Sequence, residues 1–193
     1  MSAKSKGNAF ERRWAEMLRD SGCDLAAKRN LEEVRESSVD IITQLPFGFQ
    51  VRSGAGVSVW KCIGDAQTGS EIASKRWACG VVFETRPRRK QKGNPPFPPF
   101  IIMLLEEFVE FLEETPRGRR PEFEIIIHAR RKKTSHYPAA KRLVRESVAR
   151  RKESLEEAHE YFIFEIKERP TIIFTSALEY LQLLKIWAEE RKQ

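Results

Sequence analysis

The alternation of apolar and polar positions over residues 39–52 predicts two short strands joined by a turn. β-Branched residues and phenylalanine stand on both sides of a central Pro-Phe-Gly segment. β-Branched and aromatic side chains favour strands, whereas proline and glycine favour the turn between them. Because side chains alternate between the two faces of a strand, Gln50 and Arg52 share one face, and Phe49 and Val51 are expected to point the other way, into the core.

An aspartate interrupts the first of these strands. Asp40 stands between Val39 and Ile41, and across the hairpin it is expected near Gln50. Only four of the 28 acidic residues of the chain are aspartates, so an aspartate within an apolar strand needs an explanation. An acid, an amide and the cation of Arg52 are therefore expected on one rim of the hairpin.

Apolar residues at helical spacing predict a first helix over residues 8–21. The residues of its buried stripe are Phe10, Trp14, Met17 and Leu18. Asn8 can cap this helix, and Glu11 follows three residues later, which is a capping-box arrangement. Glu11 therefore has two interpretations that stand level, a helix-capping residue and a carboxylate that faces the rim of the hairpin.

Similar patterns extend along the rest of the chain. A helix is predicted over 58–78, weakened or broken near Gly64 and Gly69. It crosses over the sheet to the next strand, and the connection is right-handed if the two strands are parallel. The further predicted elements are strand 80–84, strand 100–104, helix 106–114, strand 123–129, helix 139–160, strand 161–167, strand 171–175 and helix 177–191. The order strand, helix, strand, strand, helix occurs in 47–114 and again in 123–191, which predicts a diverged half-repeat.

Length and composition indicate one α/β domain, or one domain with a small second lobe. The chain has 193 residues, of which 40% are hydrophobic and 33% are charged. No apolar run reaches the roughly 18 residues of a membrane span, so no membrane partner is expected. The N-terminus has no apolar signal region, which predicts a cytoplasmic protein. The three cysteines, Cys23, Cys62 and Cys79, are widely spaced and are expected to be buried thiols.

The net charge of +7 is unevenly distributed. Residues 117–152 contain 13 Lys or Arg and three Glu, whereas residues 153–193 contain five basic and nine acidic residues. A basic block of this kind predicts a surface for a polyanion, most simply nucleic acid. A solvated helix face that pairs with the acidic block is the equal alternative.

The spacing of the hairpin residues resembles the motif of PD-(D/E)XK nucleases. In that superfamily an acid on one strand is followed about ten residues later by acid-x-Lys on the next strand, and here Asp40 is followed by Gln50-Val51-Arg52. The opening of the first helix at Lys6 to Glu11, followed by Lys28-Arg29, is similar to Holliday-junction-resolvase-like and phage-type members. The resemblance covers residues 5–115. Gln50 stands where most members have Glu or Asp, and Arg52 stands where they have Lys.

The resemblance implies a restriction-endonuclease-like fold, with a mixed central sheet flanked by helices. It divides the chain into a nuclease-like core, 1–116, and a C-terminal α/β extension, 117–193, which has the strand-helix-strand-strand-helix order of the half-repeat. It also implies a homodimer. The activity it implies is Mg²⁺- or Mn²⁺-dependent cleavage of branched or duplex DNA. The alternative is a nuclease-fold protein that binds nucleic acid, or serves a structural role, without cleaving.

The same resemblance assigns roles to the motif residues. The implied metal ligands are the side chains of Glu11, Asp40 and Gln50 and the backbone carbonyl of Val51. Arg52 can hold a phosphate but cannot act as a base, because a guanidinium keeps its proton at useful pH. The metal alone would then activate the water, or Lys61 or Lys75 would supply the missing group.

Basic residues outside the motif are the candidate contacts to the DNA backbone. The first set follows or flanks the first helix: Arg12, Arg13, Lys28 and Arg29. The second set lies in the proline-rich loop 85–99, for which a plain surface loop is the alternative: Arg88, Arg89, Lys90 and Lys92. The third set belongs to the basic block: Arg130, Arg131, Lys132, Lys133, Arg142 and Arg145.

Overall fold

A computed structural model describes the chain over residues 3–31, 39–53, 58–83, 99–116, 118, 123–129, 159–165 and 170–191. The helices of these ranges are α1 (Ala3–Asp20), α2 (Val59–Ile72), α3 (Leu105–Glu114) and α4 (Ala177–Glu190). The strands are β1 (Lys28–Arg29), β2 (Ile41–Ile42), β3 (Phe47–Ser53), β4 (Trp77–Phe83), β5 (Phe100–Leu104), β6 (Phe123–Ala129), β7 (His159–Glu165) and β8 (Ile172–Ser176).

The strands form a mixed six-stranded sheet in the order β3-β4-β5-β8-β7-β6. The two outer pairs, β3 with β4 and β6 with β7, are parallel, and the three inner pairings are antiparallel. β1 and β2 form a separate antiparallel pair, and the N–H of Asp40, just before β2, donates to the carbonyl of Phe49 on β3 at 2.9 Å. The α/β class and the mixed sheet are confirmed, and β6 to β8 of the C-terminal region continue the same sheet.

The sheet is covered on both faces. The largest buried cluster lies on one face, where α1, α3 and α4 pack against alternate residues of the strands. Phe47 is at its centre, because its ring contacts those of Trp77, Phe111, Tyr180 and Trp187, with centroids 4.9 to 6.5 Å apart. α2 packs on the opposite face, over β3 and β4. Phe49 and Val51 therefore point into the main core, as predicted, whereas Gln50 and Arg52 point to the face of α2.

α1 confirms the predicted apolar stripe but not the predicted start. Trp14 and Leu18 are fully buried, and Phe10 and Met17 pack at the margin of the same cluster. The helix begins at Ala3, five residues before the predicted start, so Asn8 lies inside it. The capping-box interpretation of Asn8 and Glu11 is therefore wrong, since a residue in the second turn cannot cap the helix end.

α2 confirms the crossover from β3 to β4, which pair in parallel, but runs without a break. It begins after Ser58, whose side chain accepts from the N–H of Lys61, and continues through Gly64 and Gly69 to Ile72. The predicted weakening at the two glycines is wrong, because the helix packs along the sheet and tertiary contacts outweigh the low helix propensity of glycine. Trp77, predicted to end this helix, is the first residue of β4.

Gly48 lies within β3 and not in the turn predicted for it. The connection between β2 and β3 is residues 43–46. A Cβ atom on Gly48 would lie 2.9 Å from both Cα and Cβ of Ser70 on α2. A Cβ on Gly80 of β4 would lie 2.9 Å from Sγ of Cys62, which also belongs to α2. These two glycines let α2 approach the sheet to a distance that no side chain at either position would permit.

The remaining predicted elements agree closely where the structure describes them. Strands 100–104 and 123–129 are confirmed as β5 and β6, and α3 and α4 match the predicted helices to within one residue. His159 and Glu160 belong to β7, so the predicted end of the preceding helix is wrong. The rest of that helix and nearly all of the loop 85–99 lie outside the described residues. Cys23, Cys62 and Cys79 are buried free thiols, as expected.

The two halves of the six-stranded sheet are related by a local two-fold arrangement around β5 and β8. Ile102 pairs with Phe174, the residue 72 positions later, at the centre of this antiparallel pair. The N–H of Leu105 donates to the carbonyl of Thr171 at 2.9 Å, and the N–H of Ala177 donates to the carbonyl of Pro99 at 2.8 Å. The two donors, Leu105 and Ala177, are 72 positions apart, and so are the two acceptors, Pro99 and Thr171. This order of elements is the one that the half-repeat predicts; a common origin of the two halves stays a prediction.

The close approach of α2 at Gly48 can be tested with two glycine substitutions in neighbouring elements. Gly48→Ala should lower the free energy of unfolding by about 1–3 kcal/mol, because its Cβ overlaps the backbone of Ser70. Gly64→Ala is the matched control: no atom lies within 4 Å of the added Cβ, and alanine in a helix interior should raise stability by up to about 1 kcal/mol. Urea denaturation measures both values. Equal effects of the two substitutions would contradict the packing described here.

Candidate functional site

The candidate site lies at the free edge of β3, beside Asp40. The backbone of Asp40 pairs with Phe49 of β3, and its side chain turns back to the same strand. Its Oδ2 atom accepts from the N–H of Val51 at 2.7 Å and from Nε2 of Gln50 at 2.5 Å. The predicted meeting of Asp40 and Gln50 is therefore present in the structure.

Gln50 is almost fully buried, with 3% of its surface exposed. An ionised carboxylate can only accept hydrogen bonds, so the amide of Gln50 must direct its NH₂ group to Asp40. This orientation differs from the one expected for a metal ligand, in which the amide oxygen would stand beside the carboxylate. As placed, Gln50 orients Asp40.

Burial raises the pKa of the Asp40 carboxyl from 3.8 to about 6. The N–H of Val51 opposes this shift, and the negative charge of Glu11 adds to it. The positive charges of Arg52 and Arg29 lower the pKa by smaller amounts. Asp40 is therefore ionised at neutral pH only at the expense of folding free energy, a property that is frequent at functional sites.

Arg52 lies between two carboxylates. Its Nη2 atom is 2.7 Å from Oδ2 of Asp65, and its Nη1 atom is 4.0 Å from Oδ2 of Asp40. Asp65 stands in the second turn of α2, which packs on the same face of the sheet as Arg52. The sequence interpretation missed Asp65; the rarity of aspartate that drew attention to Asp40 applies to it equally.

Glu11 lies near Asp40 but is paired with another residue. Its Oε2 atom accepts from Nε of Arg29 at 2.5 Å, and the same guanidinium donates through Nη2 to Oδ1 of Asn8 at 2.7 Å. Arg29, on β1, thus joins two residues that are one turn apart on α1. The capping interpretation of Glu11 is wrong, whereas the interpretation as a carboxylate that faces the rim stays a prediction, in which Glu11 is also one member of an ion pair with Arg29.

The two lysines considered as water-activating groups lie in different places. Nζ of Lys75 donates to the carbonyls of Thr43 and Leu45 at 2.7 and 2.9 Å, at the amino end of β3, and burial lowers its pKa. Lys75 therefore lies at the wrong end of the strand to serve Asp40. Lys61 is exposed on the first turn of α2, one helical turn before Asp65.

The oxygen donors around Asp40 are of the type that Mg²⁺ prefers, namely carboxylates and a backbone carbonyl, whereas the amide of Gln50 presents its NH₂ group. The N–H and C=O of one strand residue point to the same edge, so the carbonyl of Val51 faces this site together with its N–H. Within the described ranges, no three His, Cys, Asp or Glu side chains are grouped closely enough to hold a metal ion. The donor set fits a hard divalent cation in chemistry, with two carboxylates, of which Glu11 is shared with Arg29.

Some of the residues predicted to contact DNA lie within the described ranges, and others lie outside them. Arg12 and Lys28 are exposed, as a phosphate contact requires. Arg13 lies over the ring of Phe83, with its guanidinium carbon 5.7 Å from the centroid, and Arg29 is occupied by Glu11 and Asn8. The candidates outside the described residues are Arg88, Arg89, Lys90, Lys92, Arg130, Arg131, Lys132, Lys133, Arg142 and Arg145.

Comparison of the chain with protein-family models, with curated proteins and with solved structures finds no match. None of the helices in the described ranges combines the length and the apolar composition of a membrane span. The interpretation of the site therefore depends on its own geometry.

The raised pKa of Asp40 predicts a stability gain in Asp40→Asn that depends on pH. Asparagine still accepts from Val51 but carries no charge. A folded pKa above the unfolded value means that the wild-type chain loses stability as the pH rises from about 4 to about 6, and the loss is complete above that range. At 1.36 kcal/mol per pKa unit, the variant should be more stable by up to about 3 kcal/mol at pH 8 and nearly equal to wild type at pH 4.

Thermal or urea denaturation of both proteins at several pH values measures this difference. Asp20→Asn is a suitable control, since Asp20 is exposed at the end of α1. A loss of stability in Asp40→Asn at every pH would instead mark Asp40 as a purely structural residue.

Proposed function

We propose that this chain is a metal-dependent DNA endonuclease of the PD-(D/E)XK type. The observation that carries the proposal is the convergence of Asp40, Gln50 and the backbone of Val51 at the free edge of β3, with a carboxyl pKa raised to about 6. The order of elements supports it: α1, the strand of Asp40, the strand of Gln50 and Arg52, the crossover helix, and a parallel strand. This is the order that the resemblance implies over residues 5–115.

Each residue of the site has a defined task in this proposal. Asp40, once ionised, supplies the negative charge that attracts a divalent cation, and Gln50 and the N–H of Val51 fix the direction of its carboxylate. The guanidinium of Arg52 can bind a phosphate oxygen and stabilise the charge that develops on it. When bound, Mg²⁺ or Mn²⁺ would polarise the phosphate and lower the pKa of a water.

DNA is the proposed partner, in a cytoplasmic setting. The exposed Arg12 and Lys28 are described candidates for backbone contacts. The basic block of 117–152, with 13 Lys or Arg, supplies the larger charge. Binding through these residues should weaken steeply as salt is added, because each neutralised phosphate releases counterions.

A second candidate function is nucleic-acid binding without cleavage. Two observations favour it: no metal-binding group of three side chains occurs among the described residues, and Arg52 pairs with Asp65 where a lysine would be expected by the resemblance. In this case Arg52 and Arg12 would bind phosphates with no requirement for a divalent cation.

A cleavage assay with Mn²⁺ on linear and branched DNA separates the two functions. The wild-type chain should cut, EDTA should stop it, and Asp40→Ala should reduce the rate at least a hundredfold with unchanged far-UV circular dichroism. Asp20→Ala is the matched control and should cut normally, because Asp20 is exposed at the end of α1. DNA binding that needs no metal, together with no cleavage by the wild-type chain, would leave the second function in place of the first.

The number of candidate sites per chain predicts the first product. In the register of β6 with β7, the positions equivalent to Gln50 and Arg52 are Ile126 and His128, and no aspartate follows Asp65 in the chain. The described ranges thus contain one such site, so a supercoiled plasmid should become a nicked circle before it becomes linear. Linear DNA as the first product would mean that two chains act together, as in the homodimer that the resemblance implies.

A further inference from the structure

We infer that Arg52 acts as a built-in cation that competes with a divalent ion for the carboxylate of Asp40. This inference rests on the proposed function, since it concerns the metal loading of the same site. It predicts that the chain binds a divalent ion weakly until a phosphate of the DNA draws Arg52 away.

The first support is the position of the guanidinium. It spans two carboxylates from different elements, with Nη2 at 2.7 Å from Asp65 and Nη1 at 4.0 Å from Asp40. A cation between two carboxylates is the arrangement that a metal ion would otherwise provide. Arginine can span them because its planar fork presents donors in two directions, whereas a lysine ammonium is a single point of charge.

The second support is that one oxygen of the Asp40 carboxylate, Oδ2, is already engaged by partners within the chain. Its Oδ2 atom accepts from Val51 and Gln50, and the charge of Arg52 lies close by. A guanidinium keeps its proton throughout the working pH range, so this positive charge persists. A divalent ion that approaches the carboxylate meets like charge at a few ångströms, where repulsion near a protein surface is strong.

The third support is that the side chain of Arg52 is accessible to a ligand from the solvent. Its side chain is 40% exposed, more than the side chains of Asp40 or Asp65 at 21% and 33%. A phosphate oxygen pair is a bidentate partner for arginine equal in geometry to a carboxylate. A bound phosphate can therefore take over the guanidinium and leave the Asp40 carboxylate to a metal ion, so that DNA and metal bind with positive coupling.

Binding of Mn²⁺ in the absence of DNA tests this inference, with free Mn²⁺ followed by electron paramagnetic resonance. Arg52→Gln should bind Mn²⁺ at least tenfold more tightly than wild type, because it removes the competing charge. Arg52→Lys, which keeps the charge, should lie closer to wild type. Adding Asp40→Asn to Arg52→Gln should abolish the gain.

Arg76→Gln is the matched control for the loss of one positive charge. Arg76 is half-exposed and pairs with Glu110 and Glu114, residues of α3 away from Asp40. Its variant should bind Mn²⁺ as wild type does. An equal gain in Arg76→Gln and Arg52→Gln, or no gain in Arg52→Gln, would overturn the inference. A thermal melt of each variant checks that it folds.

The result is separable from the fate of the proposed function. If the wild-type chain cleaves DNA through Asp40 and Arg52→Gln shows no gain in Mn²⁺ binding, the nuclease stands and the competition is disproved. If Arg52→Gln gains Mn²⁺ binding through Asp40 while no variant cleaves, the competition stands and the endonuclease is disproved.

Discussion

The close contact of α2 with β3 and β4 is the constraint on which the site depends. It is possible because Gly48 and Gly80 have no side chains, and Ser70 and Cys62 of the helix occupy the space that a Cβ would take. The contact fixes the helix relative to the strand that carries Gln50 and Arg52. Asp65 therefore reaches Arg52 from a helix that packs against the strand of Arg52, so the ion pair depends on the packing of these two elements.

Asp40 holds the same strand, β3, at the edge that does not pair with β4. One backbone bond joins Asp40 to Phe49, and two side-chain bonds join it to Val51 and Gln50. These bonds fix the position of the carboxylate, whereas its burial raises the pKa to about 6 against the opposing effect of the Val51 N–H. An ionised carboxylate at this place costs folding free energy that a neutral hydrogen-bond acceptor would not cost. Stability alone therefore does not explain Asp40, and this is the physical reason to regard it as functional.

The two-fold arrangement of the sheet distinguishes the features that both halves share from the residues that are specific to the candidate site. Strand order, strand direction and the bonds at Leu105 and Ala177 repeat between the halves. The positions of Gln50 and Arg52 do not repeat, since Ile126 and His128 occupy the equivalent register. An apolar side chain can occupy this strand position as well as an amide can. The amide of Gln50 is therefore explained by its hydrogen bond to Asp40 and not by the sheet.

Sequence reasoning worked where the signal is local and failed where it depends on contacts. The apolar periodicities gave nearly all described strands and helices, and the alternation along β3 placed Gln50 and Arg52 on one face. The early start of α1 was missed because residues 3–8 are mostly polar and show no apolar stripe. Gly48 and Gly64 look alike in the sequence, yet Ser70 packs against one and nothing packs against the other.

The site shows the same division between local and distant information. The spacing of Asp40 and Gln50 predicted their contact, which is present, although β2 pairs with β1 and not with β3 as the predicted hairpin required. The pairings of Glu11 with Arg29 and of Arg52 with Asp65 join residues 18 and 13 positions apart through the packing of helices on strands. No periodicity carries that information, so these partners follow only from the fold.

The pairing with Asp65 also explains in physical terms why position 52 is an arginine and not a lysine. A lysine there would offer one compact charge and could neutralise Asp40 or Asp65 but could not bridge both from a single strand position. The guanidinium pairs with Asp65 and still places its second arm 4.0 Å from Asp40. Asp65 on α2 and arginine on β3 thus form a matched set, in which each residue accounts for the presence of the other. The consequence is a site in which Arg52 offsets part of the negative charge of two carboxylates, and under the proposed function a divalent cation would gain access when another anion takes the arginine.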